Sequence, residues 1–182
     1  KAAVIVCDRG YLRHQLQWRR TTAAEAACRV VQVESDVVVP LEVVSDKNEY
    51  AARTIRPKIQ RHLKDYLKPF HGVTLQRDSL DIGITGLDPA DLDGILTDMR
   101  IDRRVAPVSR FLGGGTSQAK KRFDDFIENR LKHYDDHSNQ PQTDDVSHMS
   151  PYLHFGQISP LYLAWRAQNT DGRKVGKANI ES

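Results

Sequence analysis

The apolar positions at the start of the chain follow two rhythms. Ala3-Val4-Ile5-Val6-Cys7 is an unbroken apolar run, the pattern of a strand buried on both faces. Asp8-Arg9-Gly10 breaks it. From Tyr11 to about Cys28, the residues Leu12, Leu16, Arg19, Ala23 and Ala27 fall on one stripe of a helix. Val30-Val31-Gln32-Val33 predicts a second strand, and Val37-Val38-Val39 is a third short apolar run before Pro40. Strand, helix and strand in about thirty residues make a βαβ unit, whose strands run parallel through a right-handed crossover. No G-x-G-x-x-G follows the first strand, which disfavours a dinucleotide-binding fold of the Rossmann type. Asp8 stands at the carboxyl end of a strand, where open α/β sheets place ligand groups, and equally where a turn residue belongs.

Farther on, polar punctuation takes over. Asp46 with Glu49 three residues later resembles a capping box and predicts a short helix there. Pro57 predicts an interruption, with a second helix starting at it and running through Leu67. From Pro69 to Pro107 the chain is broken by Gly72, Gly83, Gly86, Pro89 and Gly94, which predicts loops with short helical turns around 89–97. Asp91, Asp93 and Asp98 lack the spacing and the closing Glu of a calcium loop. After Gly113-Gly114-Gly115, Ala119, Phe123, Phe126, Ile127, Leu131 and Tyr134 recur at three and four, the face of a strong helix that Thr116 or Ser117 would cap. Asp135 to Asp145 is a polar loop containing Pro141.

Composition narrows the class. The chain has 182 residues, 39% hydrophobic and 28% charged, with no apolar run long enough for a membrane span. It opens directly on a strand without an initiator Met, and the expectation is a piece of something larger. Cys7 and Cys28 have no partners at metal-ligand spacing and read as reduced thiols of an intracellular protein. A net charge of +3 permits nucleic-acid binding without requiring it. Between Lys47 and Lys68 seven Lys and Arg face only Glu49 and Asp65, which is either a solvated helix face or a strip for phosphates.

The segment Ser147-His148-Met149-Ser150-Pro151-Tyr152-Leu153-His154-Phe155-Gly156-Gln157-Ile158-Ser159-Pro160 carries the most chemistry. Each Ser-Pro pair reads as N-cap and first helical residue, and Gly156 as a left-handed stop between two helices. Helix N-termini present free N–H groups and the positive end of a dipole, so two of them close together can hold an anion, phosphate above all. On the residues alone the serines equally well do no more than cap.

This segment resembles the flavin-binding signature of the DNA photolyase family, and its "SPYLHFGQISP" wording resembles the class II branch. Residues 7–20, 33–59 and 113–141 are similar to class II sequence in the same order. The resemblance implies an α/β then mostly α architecture. Residues 1–68 would end a parallel-sheet, Rossmann-like antenna domain, 69–107 would be an interdomain linker, and 108–182 would begin the helical FAD-binding domain. It implies FAD as cofactor, with an antenna chromophore of unstated identity. Tyr134 would hydrogen-bond the phosphate side of the flavin. Ser147, Met149 and Ser150 would grip the pyrophosphate, with His148 contributing main chain, and Gln157 and Ser159 would complete the cradle.

The family's activity is light-driven splitting of cyclobutane pyrimidine dimers in DNA by an electron from reduced FAD, a carbon–carbon lyase reaction. The implied partner is damaged DNA, the implied protein a monomer away from membranes, intracellular and cytoplasmic in a prokaryote. No metal is implied. Catalytic residues and the electron path are expected beyond Ser182, so the 182 residues alone would bind FAD weakly and repair nothing. Two departures stand out: Val146 replaces a frequent Thr, and Ser138 an Arg of the DNA-facing rim, whose loss should lower the salt slope of DNA binding by about one. A cryptochrome-like photoreceptor, or a non-catalytic nucleic-acid-binding module using the strip 47–68, are the alternative functions.

Overall fold

The computed structural model describes residues 2–69, 71–77, 83, 86–88, 90–99, 101–106 and 108–170. Asn179–Ser182, where relatives were expected to continue as helix, lie outside the described residues, as do Pro89 and Pro107 of the expected linker. Residues 1–70 and 114–182 form one compact unit and 71–113 a second.

The first unit opens with the predicted βαβ arrangement. Strand β1 (Val4–Asp8) pairs in parallel with β2 (Arg29–Val33), with Val4 opposite Arg29 and Asp8 opposite Val33, and helix α1 (Arg13–Glu25) lies between them in sequence. The side chain of Gln15 accepts from the Leu12 amide at 3.0 Å, so the helix start is tied back from its third position. Burial departs from expectation. The residues of β1 alternate between exposed and half-buried, and Val6 is 59% exposed. An apolar run needs cover on both faces to be buried on both, and a two-stranded sheet in this unit supplies it on one. Helix α1 likewise has no buried residue, so the stripe of Leu12 and Leu16 stands open among the described residues. Asp8 accepts a hydrogen bond from the Ser35 hydroxyl at 2.6 Å, which links the carboxyl ends of β1 and β2. Cys7 and Cys28 are free and half-buried.

Two predicted boundaries are corrected. No helix begins at Asp46: the short helix is α2 (Leu41–Val44), and Glu49 joins a polar cluster. Pro57 does not interrupt the next helix, because α3 runs from Ala52 to Tyr66 with the proline inside it. Ile55, Lys58, Ile59, His62, Leu63 and Tyr66 are half-buried and recur at three and one. That stripe is continuous across the proline, and its packing outweighs the single ladder bond lost there. Arg53, Arg56, Arg61 and Lys64 stand exposed on the same helix, so most of the basic strip faces solvent.

Lys58 is the exception. Its ammonium lies 2.5 Å from the Glu49 carboxylate and 3.0 Å from the Ser45 hydroxyl, which itself donates to Glu49 at 2.8 Å. The Lys58 hydrogen bond, helped by the hydroxyls of Thr54 and Ser45, pulls the Glu49 carboxyl from 4.5 down to about 2. The folded state therefore favours the ionised form. Its stabilising contribution is complete above pH 4.5 and disappears as the pH falls toward 2. Urea midpoints of the wild type and E49Q should differ at pH 7 and converge across that window. A gap that stays constant down to pH 2 would show that the pair is absent in solution.

The other elements described in the first unit are helices. Helix α5 (Thr116–Asp125) passes into a widened π turn (Phe126–Arg130), a 3₁₀ turn (Leu131–His133) and α6 (Tyr134–His137). The predicted apolar face is the core: Ala119, Phe123, Phe126, Ile127 and Leu131 are buried, and Tyr134 is half-buried. The Phe123 and Phe126 rings stack at 6.0 Å, and Tyr134 meets Phe126 edge-on at 5.8 Å. The cap of α5 is neither Thr116 nor Ser117. Gly115 takes that place at φ +98°, a backbone conformation open to glycine without steric penalty. Helices α7 (Ser150–His154) and α8 (Pro160–Gln168) follow.

In the second unit, α4 (Leu92–Asp98) matches the expected helical turns, and the Asp91 carboxylate caps it by accepting from the Gly94 amide at 3.0 Å.

Candidate functional site

The residues singled out from the sequence fall into two groups. The first surrounds the loop between α6 and α7. His137 closes α6 with its Nδ1 2.5 Å from Asp145, and the Thr143 hydroxyl donates to the His137 carbonyl at 3.2 Å, folding the loop back on the helix that made it. Asp144 is held twice. Arg130 reaches its carboxylate and its carbonyl, each at 2.9 Å, and His148 Nε2 lies 2.5 Å from its other oxygen. Arg130 also pairs with Asp125 at 2.9 Å, so one guanidinium joins the helix to the loop. The hydrogen bond from His148, followed by the charges of His148 and Arg130, holds the Asp144 carboxyl below its ordinary value.

His148 has φ +53°, the one positive φ outside glycine among the described residues. A left-handed residue with a side chain costs about 1–2 kcal/mol, so something must hold it. Met149 follows in the right-handed region, at φ −82° and ψ −13°. A left-handed residue beside a right-handed one turns successive N–H groups toward one side, which makes a concavity for anions. Ser150 is exposed and Ser147 half-buried, while the Met149 side chain is only 3% exposed and belongs to the core. Ser150 is the first residue of α7 and does not cap it. Met149 holds the cap position with no side-chain bond, because the chain enters α7 already in helical conformation. Tyr134 opens α6 with its ring on Phe126.

The second group lies after α7. Gly156 ends that helix at φ +62°, as the sequence predicted. Ser159 caps α8 by accepting from the Tyr162 amide at 3.4 Å, with Pro160 next to it. The Gln157 side chain accepts from the Gly115 amide at 2.8 Å, tying the α7–α8 turn to the start of α5. Gln157 and Ser159 line a cavity of about 610 Å³ together with Lys68, Thr116, Lys120 and Trp165. Tyr134 and the segment Ser147–Ser150 are not among its lining residues. Sequence reasoning missed Arg130, Asp144, Thr116 and Lys120. A polar residue such as Arg130 or Asp144 carries no signal until its partner across the loop is known.

The diphosphate of FAD is an anion that needs N–H and O–H donors. The hydroxyls of Ser147 and Ser150 and the backbone at His148 and Met149 are of that chemistry, and His148 and Ser150 are reachable from solvent. The donor set fits that arm of the cofactor.

Comparison with known proteins agrees with this architecture. The chain superimposes on a class III photolyase from Agrobacterium tumefaciens with a TM-score of 0.61 at 18% identity, covering 99% of this chain and 37% of that one. The class is thus a photolyase-type fold, a parallel α/β part continued by helices. The family model for DNA photolyase matches residues 1–74. A deoxyribodipyrimidine photo-lyase of Methanothermobacter thermautotrophicus is 44% identical over 167 residues, 91% of this chain and 36% of the relative. That of Potorous tridactylus is 35% identical over 157 residues, covering 85% and 29%. The chain belongs to the DNA photolyase family. It spans about a third of the length of these relatives. No helix among the described residues is long and apolar enough to cross a membrane.

Proposed function

We propose that this chain is the part of a light-driven DNA repair enzyme of the class II photolyase type that joins its antenna domain to its flavin domain and holds the FAD diphosphate. On this reading residues 1–68 close the α/β domain, 69–107 link, and 108–182 begin the helical FAD-binding domain. The substrate is DNA carrying cyclobutane pyrimidine dimers, and the enzyme acts as a monomer on DNA inside the cell. Similarity to deoxyribodipyrimidine photo-lyases over 91% of the chain is the observation that carries the reading.

When bound, reduced FAD supplies the photoexcited electron that opens the dimer and receives it back. The chain's own residues have a simpler task. Ser147 and Ser150 donate hydroxyls to the diphosphate, and the backbone at His148 and Met149 adds N–H groups. Tyr134 supports the phosphate side, and Gln157 and Ser159 hold the next helix start behind it. A dimer pairs and stacks poorly, so extruding it from the duplex costs less than extruding intact bases, which favours damaged sites.

The test is a chimera in which this chain replaces the matching residues of the Methanothermobacter relative. The purified chimera should retain flavin and restore dimer-containing DNA under blue light. The double variant S147A/S150A should lose FAD by about tenfold or more in affinity, since two hydrogen bonds to a charged group are removed. A well-folded chimera that holds no flavin, or that repairs equally in the dark, would overturn the reading.

A further inference from the structure

We infer that Arg130, Asp144 and His148 form a positioning relay that sets the backbone of the Ser147–Ser150 segment for the cofactor's diphosphate. The inference rests on the flavin-binding role proposed above for that segment, and it adds Arg130 and Asp144, with the side chain of His148, to the residues the sequence pointed to.

The relay begins on the helix. Arg130 is the last residue of the widened turn after α5, and its guanidinium meets Asp125 on one side and Asp144 on the other. It reaches both the carboxylate and the carbonyl of Asp144, so it fixes the residue's backbone as well as its side chain. Asp144 passes that position on to His148 through the ring nitrogen at 2.5 Å. His148 is where the chain turns left-handed, immediately before Met149 and Ser150. Three side chains therefore connect a buried helix to the backbone geometry of the donors.

The exposure of the parts separates this role from simple stabilisation. The Asp144 side chain is 71% exposed and that of His148 40%. Ion pairs so open to water contribute little to global stability. Their consequence is local: they choose between the left-handed conformation of His148 and the ordinary alternatives. Within the relay Arg130 pairs with Asp125 and Asp144, and Asp144 pairs in turn with His148. The planar fork of Arg130 gives Nη1 to the carboxylate and carbonyl of Asp144 and Nη2 to Asp125 at once, a division that the single nitrogen of a lysine cannot make.

The experiment reads the backbone directly. Amide resonances of Met149 and Ser150 are assigned in the 182-residue chain and compared among the wild type, R130K, D144N and D144N/H148G. Lysine keeps the charge and loses the fork, so R130K should move both resonances, as should D144N, with overall melting little changed. The double variant should return them toward wild-type positions, because glycine adopts φ +53° without a partner to hold it. In the chimera, D144N should weaken FAD retention about fivefold and D144N/H148G should recover most of it. Resonances that do not move in D144N overturn the relay, and so does an R130K spectrum identical to wild type.

Titration of the flavin-free chimera with inorganic pyrophosphate separates the relay from the flavin reading. Shifts at Met149 and Ser150 support both. No shift, in a chain whose amides still depend on Asp144, sinks the diphosphate role and leaves the relay as a conformational clamp.

Discussion

Replacing Phe126 with alanine is expected to lower the unfolding free energy by about 3–5 kcal/mol, the range for a buried aromatic truncated in a core. Phe126 is 6% exposed and lies between two other rings, Phe123 at 6.0 Å and Tyr134 edge-on at 5.8 Å. Truncation removes burial and both ring contacts, and leaves a void at the start of the widened turn. A domain of this size holds about 5–15 kcal/mol in total, so the variant should be largely unfolded in moderate urea. Circular dichroism melts in urea would report it. F126L, which refills most of the volume, should recover the greater part. A loss below about 1 kcal/mol for F126A would mean that the ring is not in the core. Because Tyr134 leans on Phe126, the same variant should also disturb a residue of the candidate site.

The second large effect is expected at Met149, and here two substitutions separate roles. With the side chain 3% exposed, M149A should cost about 2–5 kcal/mol, whereas M149L keeps the volume and should cost less than about 1.5 kcal/mol. M149L leaves the backbone at 149 unchanged, and the proposed donor there is the N–H, so FAD retention in the chimera, normalised to folded protein, should be the same in M149L as in the wild type. A stable M149L chimera that loses flavin would show that the thioether itself touches the cofactor.

The two substitutions also show how much of the site was legible beforehand. The "SHMSPYLHFGQISP" segment located the region, and Gly156 and Ser159 adopt the conformations their residue types favour. The division of labour inside the segment was not legible. Met149 and Ser150 are neighbours, yet one is core and the other surface, because the left-handed turn at His148 and the early start of α7 decide which way each side chain faces. Glu49 behaved likewise. Its spacing from Asp46 matched a local capping motif, but a lysine nine residues on, next to the proline of α3, captured its carboxylate instead.

Local chemistry along the sequence was sufficient for the two individual strands, the amphipathic face from Ala119 to Leu131, the glycine stop at 156 and the cap at Ser159, since each depends on neighbours within a few positions. Tertiary contact decided the remainder. The persistence of α3 through Pro57, the open face of β1 and the grip of Arg130 on Asp144 all depend on what lies opposite in space. Such partners are chosen by packing and by charges brought together from distant positions, and no periodicity within one segment encodes them.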